Sequence, residues 1–288
     1  MLLSTVFFSF THVAIREASA HTNPIQIAFL RNVFAMVFIL PLMAKYGWTL
    51  WSTTQFPVHC VRAVLHVIAM FAFFTAVSIT PLAKVTALGY TAPIFAAILS
   101  VLFLGEKFRI HRWSAILIGF LGALIVLRPG LISVDYGSLL VLFSSSIWGI
   151  VLVVMKFLSI KDSSFTMTAY MSLLGTIISA LPAWYIWETP ELGEWPVLIL
   201  IGLISTIGQL SLTEGLKNLD TTAAMPFDYL RLIWSALFGF IFFSEIPDIF
   251  IWTGAIMICS SGIWIAYRES AQKKMQTVRD NSESVDNI

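Results

Sequence analysis

Ten apolar segments, each near the length of a bilayer-spanning helix, fill this chain almost end to end, and the last five repeat the pattern of the first five. A spanning helix needs about 20 residues, because each adds 1.5 Å of rise. The predicted spans are Leu2–Ile15, Ile25–Ala44, Val58–Ile79, Val85–Leu104, Trp113–Leu127, Gly137–Leu158, Phe165–Trp187, Pro196–Leu216, Thr222–Phe243 and Ile249–Tyr267. Short connections carrying Asn23-Pro24, Thr80-Pro81, Arg128-Pro129-Gly130, Thr189-Pro190 and Ile246-Pro247-Asp248 separate many of them. The first span is the shortest and has no basic residues before it. It reads as a retained helix and not as a cleaved leader.

Composition supports lipid as the solvent. Charged residues make up 11% of the chain and mean hydropathy is +0.86, whereas a soluble domain carries about a quarter charged residues. A net charge of +1 gives no basis for nucleic-acid binding. Cys60 and Cys259 both lie in apolar runs and read as buried thiols. The polar stretch 268–288 has no apolar period and reads as a solvated tail.

With the N-terminus inside, the inner connections and tail carry twelve Lys or Arg residues and the outer ones only Arg16, Lys84 and Arg128. That bias predicts both termini in the cytoplasm. The repeat is visible at an offset of about 139 residues, which places Pro57 on Pro196, Tyr90 on Tyr229, Glu106 on Glu245 and Trp113 on Trp252, and at 140 for the first span, which places Phe8 on Trp148 and Arg16 on Lys156. Five spans per half is an odd number, so the second half enters from the opposite face. The predicted fold is therefore all-α and integral to the membrane: ten transmembrane helices as two inverted five-helix repeats, residues 1–133 and 134–267, followed by the tail. Transporters built this way bind near the midplane between the halves.

The stretch from Pro81 to Gly130, PLAKVTALGYTAPIFAAILSVLFLGEKFRIHRWSAILIGFLGALIVLRPG, resembles the end of the first repeat of EamA-type members of the drug/metabolite transporter superfamily. Ala224–Asp248, AMPFDYLRLIWSALFGFIFFSEIPD, resembles the matching part of the second. The resemblance implies a ten-helix secondary transporter in the plasma membrane, the inner membrane if the source is bacterial, with a central cavity between the repeats. It implies no particular substrate. Phe8-Ser9 departs from the Trp-Gly pair common in such proteins, which Trp148-Gly149 retains; His12, Glu17 and Glu214 are atypical too.

Ionisable residues inside a bilayer cost about 2.5–3.5 kcal/mol each on insertion scales and mark function by default. The deepest are Arg31, His66, Asp228 and Arg231. His12, Arg62 and Glu214 lie nearer span ends. Asp228 and Arg231 share a helix face. They form either a self-neutralising pair or a site in which Asp228 orients the Arg231 fork toward a carboxylate or phosphate. Pro226 and Pro93 should interrupt the ninth and fourth helices. His59, Arg62 and His66 form one stripe on the third helix, continued by Met70 and Phe73. It faces either the interior or, for His59 and Arg62, the headgroups. Arg31 needs a partner from another helix, a carbonyl or the solute. Tyr90, Tyr229, Trp148 and Trp234 are deep enough to line a cavity. Glu106 and Glu245 should organise the turns that follow them. Ala115, Gly119 and Ala123, with Gly254 and Gly262, suit close helix packing or a homodimer.

The sequence lacks HExxH, GxSxG, Walker A, paired-Asp diphosphate motifs and Cys/His metal clusters. It is read as no enzyme, needing no metal and no cofactor. The expected partners are the lipid bilayer, a small-molecule substrate and a coupling ion, proton or sodium. The preferred function is gradient-driven transport of a small metabolite with an anionic or zwitterionic part, such as an amino-acid derivative like S-adenosylmethionine or a vitamin. Drug or metabolite efflux is the alternative. A membrane enzyme acting on a lipid-linked substrate is the rival from another class.

Overall fold

The computed structural model describes residues 2–47, 53–92, 94–96, 98–99, 110–128, 134–158, 161–218, 221–264 and 267; side chains within 212–218 and 221–229 lie outside that description. Among the described residues the ordered elements are helices: α1 Leu2–Ala18, α2 Pro24–Tyr46, α3 Phe56–Ile79, α4 Leu82–Gly89, α5 Ile110–Leu127, α6 Tyr136–Leu158, α7 Ser164–Tyr185, α8 Trp195–Asn218, α9 Thr221–Phe243 and α10 Ile249–Trp264. By length and composition α3, α6 and α7 suffice to cross a membrane, and shorter apolar helices lie in α2, α5, α8, α9 and α10.

Local chemistry sets the helix ends. Ser163 caps α7 by accepting from the Thr166 N–H at 3.1 Å. Asp135 accepts from the Ser138 N–H at 2.9 Å at the start of α6, and Asp248 from the Ile251 N–H at 2.9 Å at the start of α10. Both satisfy donors that a helix start leaves free. Arg128 and Ser244 close α5 and α9 in the left-handed region, φ 50° and 54°. There the Ser244 N–H reaches the Phe240 carbonyl and the Glu245 N–H the Gly239 carbonyl.

The helices pack in a defined pattern. Helix α1 lies on α8 and α9, α6 lies on α3 and α4, α2 on α7 and α8, α3 on α7, and α4 on α9. The apolar core runs through Ile15, Ile27, Val67, Val77, Leu82, Leu88, Val126, Leu198, Ile201 and Ile258. Small residues permit the closest approaches. A Cβ on Gly122 would stand 2.8 Å from the Gly254 carbonyl, and one on Gly149 2.9 Å from the Ala96 amide. The glycines of α5 and α10 are thus used in packing within the chain.

The fourth span is interrupted. Helix α4 ends at Gly89, Tyr90 and Thr91 form a turn, and the helical path resumes at Ala92. Pro93, at which the sequence places the interruption, lies outside the described residues; a proline there carries no N–H. The Ser145 hydroxyl of α6 supplies a substitute, lying 3.4 Å from both the Leu88 and Gly89 carbonyls. Such side-chain compensation is what a broken helix at membrane depth requires. Helix α9, by contrast, is helical through Pro226, so the expected matching interruption is not found there. Pro226 falls in its second turn, where few backbone bonds depend on its missing N–H.

Candidate functional site

One face of α3 organises the interior. His59, Arg62, His66, Met70 and Phe73 recur at helical spacing and face one side. Each meets another element. His59 Nε2 lies 2.8 Å from Asp162 Oδ2, which also accepts from the Thr53 hydroxyl at 2.8 Å. The His59 ring stacks on Tyr170 of α7 at 4.7 Å. Arg62 donates through Nη1 to the Met167 carbonyl of α7 at 3.2 Å, and its buried Nε has no partner. His66 meets Trp148 of α6 with ring centres 5.1 Å apart. Met70 Sδ lies 3.2 Å from Arg31 Nη1 of α2. Phe73 lies 5.2 Å from the His12 ring of α1.

His59 and Arg62 are therefore turned inward, at 2% and 7% exposure, and do not reach for headgroups. Asp162 decides this for His59. It sits in the connection before α7, where its value as a buried partner could not be read from spacing.

Arg31 has a second weak contact, to Asn32 Oδ1 at 3.4 Å. Gln26, its nearest polar neighbour upstream, is used elsewhere: its side chain bonds the Glu188 backbone through both N–H and carbonyl. Arg31 and Arg62 both lie within electrostatic reach of His66.

Arg231 lies on α9, which packs against α1. Its guanidinium carbon lies 4.8 Å from the centre of the Phe8 ring, a cation–π contact. Its carbonyl accepts from Ser9 Oγ at 3.1 Å, and Ser9, Ser235 and Thr86 form a hydroxyl chain joining α1, α9 and α4. His12 is within electrostatic reach of Arg231. The sequence reading placed His12 near a span end; in the folded chain it is buried at 8% exposure. Trp234 stacks on Phe238 at 6.3 Å. Tyr90 is buried at the α4 break. The side chains of Asp228 and Tyr229, and those of Glu106 and Glu214, lie outside the described residues.

The structure thus brings His66, Trp148 and Arg31 together around α3. Arg231 and Trp234 share α9, which packs on α1 and α4, whereas α2 packs on α7 and α8. The His12 ring, within electrostatic reach of Arg231, meets Phe73 of the α3 stripe and so connects the two sets of residues.

At one end of the bundle, charges are matched. Arg16 pairs with Glu245, which also accepts the Leu82 N–H at 2.9 Å, and Arg16 donates to the Thr80 carbonyl at 3.2 Å. Lys84 pairs with Asp135, and Arg128 with Asp248. Glu245 therefore ties α9 to α1 and α4 rather than organising its own turn. Burial tends to raise the Asp135 carboxyl. The Lys84 ammonium and the Ser138 hydroxyl and N–H outweigh it and hold the group down at about 2.

A family model described as "EamA-like transporter family" matches residues 1–128 and again 135–267. This chain belongs to the EamA-like transporter family. It is accordingly a multi-pass membrane protein and a transporter, not an enzyme. The S-adenosylmethionine uptake transporter of Rickettsia bellii is 28% identical to this EamA-like chain over 93% of it and 92% of the relative. The riboflavin transporter of Brucella anthropi is 29% identical over 95% and 99%. A solved crystal structure with 16% identity superposes at a TM-score of 0.61, covering 93% of this chain and 96% of that one, which shows a shared fold.

Proposed function

We propose that this EamA-like protein is a gradient-driven secondary transporter of a small organic metabolite with an anionic or zwitterionic part, such as an amino-acid derivative or a vitamin. The observation that carries this reading is the state of its interior cations. Among the described residues, Arg31 and Arg62 meet an amide oxygen, a thioether and a backbone carbonyl, with no carboxylate. A buried guanidinium without a counter-charge is costly, and an anionic solute would supply one. The relatives named for S-adenosylmethionine and riboflavin fit a solute of this size.

The reading includes two inverted repeats, 1–133 and 134–267, a cytoplasmic tail, and a plasma-membrane location with both termini inside. The double match to one family model supports the duplication. So does the packing. Exchanging each helix of the first five for its counterpart in the second five turns the α1–α8, α1–α9 and α2–α8 contacts into α6–α3, α6–α4 and α7–α3, all of which occur. The α2–α7 and α4–α9 contacts map onto themselves, as a two-fold axis requires.

In this reading Arg231, oriented by Asp228, binds the anionic part near the α1–α9 seam. Tyr229 or Trp234 packs on the apolar part. Arg31 and His66 act from the α3 side, with Tyr90 and Trp148 lining the path. Coupling to a proton or sodium gradient supplies the driving force, and small-residue faces leave room for a homodimer.

The test compares Arg231→Lys with the double change Asp228→Asn and Arg231→Gln in proteoliposomes loaded from a metabolite panel. Losing a charge-assisted hydrogen bond worth about 1.5–3 kcal/mol should weaken the solute roughly 10- to 150-fold. Wild-type rate and affinity in both variants, at normal membrane abundance, would make the pair structural.

A further inference from the structure

The α3 face carries a charge arrangement that says more about the solute than its being anionic in part. Arg62 and Met70 are eight residues apart, about 12 Å along the helix axis, and His66 lies between them. Arg62 is buried at 7% exposure with a donor atom, Nε, left unpaired. Arg31 arrives at the Met70 end, held only by an amide oxygen at 3.4 Å and a sulfur at 3.2 Å. Neither is a match for a guanidinium, whose strong partners are carboxylate and phosphate oxygens. Between the two, His66 lies tilted at 50° against the Trp148 indole. Both rings are half-buried and keep part of their surface uncovered.

Among the described residues, the charges around this group are all positive or neutral. From α2 comes Arg31, from α3 Arg62 and His66, from α6 Trp148, and from α7 the Met167 carbonyl. Asp162, the nearest described acid on this face, is committed to His59 and Thr53 one turn further down. An ammonium or sulfonium placed here would meet two guanidinium groups and no described carboxylate. A planar ring carrying a dianionic acid group would meet a ring surface and two unmatched forks.

We propose that Arg31, Arg62, His66 and Trp148 form a subsite for a planar heteroaromatic solute bearing a phosphate or other multiply charged acid group, which narrows the substrate to a net anion and disfavours a zwitterion or a cation. Arg62, with its Nε unpaired, holds the acid group at one end of the stripe, and Arg31 at the other end adds positive charge. Trp148 with His66 supplies the surface for the ring. The proposal rests on the transporter reading for its purpose, but its site can be tested by binding alone.

Three probes share one ring and differ in charge: adenosine 5′-monophosphate, adenosine and S-adenosylmethionine. Binding is followed by tryptophan fluorescence on the purified full chain in detergent. The monophosphate should bind roughly 10-fold or more tighter than adenosine, as one charge-assisted hydrogen bond to the acid group would give. S-Adenosylmethionine should bind more weakly than adenosine. Arg62→Lys, which keeps charge and volume in case Arg62→Gln fails to fold, and Arg31→Gln should each shrink the ratio between monophosphate and adenosine while leaving adenosine affinity in place. Trp148→Leu should weaken both by the same factor, roughly 2- to 10-fold, read by calorimetry because a fluorophore is lost. Equal affinity for the three probes, preference for S-adenosylmethionine, no measurable binding of the monophosphate, or variants that weaken every probe alike would overturn the subsite. Flux of the monophosphate into proteoliposomes separates the two readings. Charge-selective binding without flux would keep the site and count against such an anion as the transported solute; flux with charge-blind binding would keep transport and sink the subsite.

Discussion

The positive charges at the helix ends and those in the bundle interior are treated in opposite ways. Arg16, Lys84 and Arg128 each meet a carboxylate: Glu245, Asp135 and Asp248. Each of those pairs joins helices distant in sequence, and each acid also accepts a backbone N–H at a helix start. Among the described residues, Arg31 on α2 and Arg62 on α3 meet only neutral groups. The chain can match a guanidinium where it needs a joint, and in the proposed reading the interior pair, which meets no carboxylate among the described residues, is kept for the solute. Removing an end cation should therefore cost stability. Removing an interior one should cost binding.

The largest effect is expected at Arg16. Its side chain and that of Glu245 are 21% and 15% exposed. Arg16→Ala would leave Glu245 under cover without its charge partner, at about 2–3 kcal/mol after allowance for partial exposure. Thermal melting in detergent should fall clearly, and adding Glu245→Gln should restore part of the loss, because coupled partners are not additive. An unchanged melting curve would mean that the ends are not joints, and the contrast would collapse.

Next comes Arg31→Gln. Solute affinity should drop roughly tenfold with little change in melting temperature, the reverse of the Arg16 signature. A variant that melts early but transports normally would place Arg31 among the structural cations.

Acid should sharpen the comparison at Lys84–Asp135. Because the folded carboxyl is held at about 2, below its usual 3.8, the pair contributes stability that is complete above 3.8 and is lost as pH falls through about 2. Melting should therefore be insensitive to pH near neutrality, where the pair contributes in full, and decline only in that acid window. Asp135→Asn should remove that decline. An acid decline that survives unchanged in Asp135→Asn would contradict the assignment.

The smallest effect belongs to Arg128→Gln. Its pair with Asp248 is 23% and 39% exposed, so the loss should stay below about 1 kcal/mol and solute affinity should not move. A large affinity change there would show that the outer joints and the solute site are one system.

Much of the architecture was legible in the residues themselves. Apolar runs of spanning length need no tertiary information, because the bilayer's thickness and the helix's rise set them. The α3 stripe was visible as well, since its spacing is a property of the helix alone. The break at Tyr90 followed from Pro93, although the carbonyl cover from Ser145 did not. Which side of α3 is buried, and against what, was decided only by folding. Asp162 turns His59 inward from a connection about a hundred residues away, and Met167 does the same for Arg62 through a backbone carbonyl that no side-chain pattern announces. His12 looked peripheral by depth and became central because α1 packs its ring on Phe73. Pairings between elements distant in sequence depend on how the helices dock. A single sequence encodes each helix's period and ends, but the three-dimensional neighbours decide which polar groups are matched and which are left open.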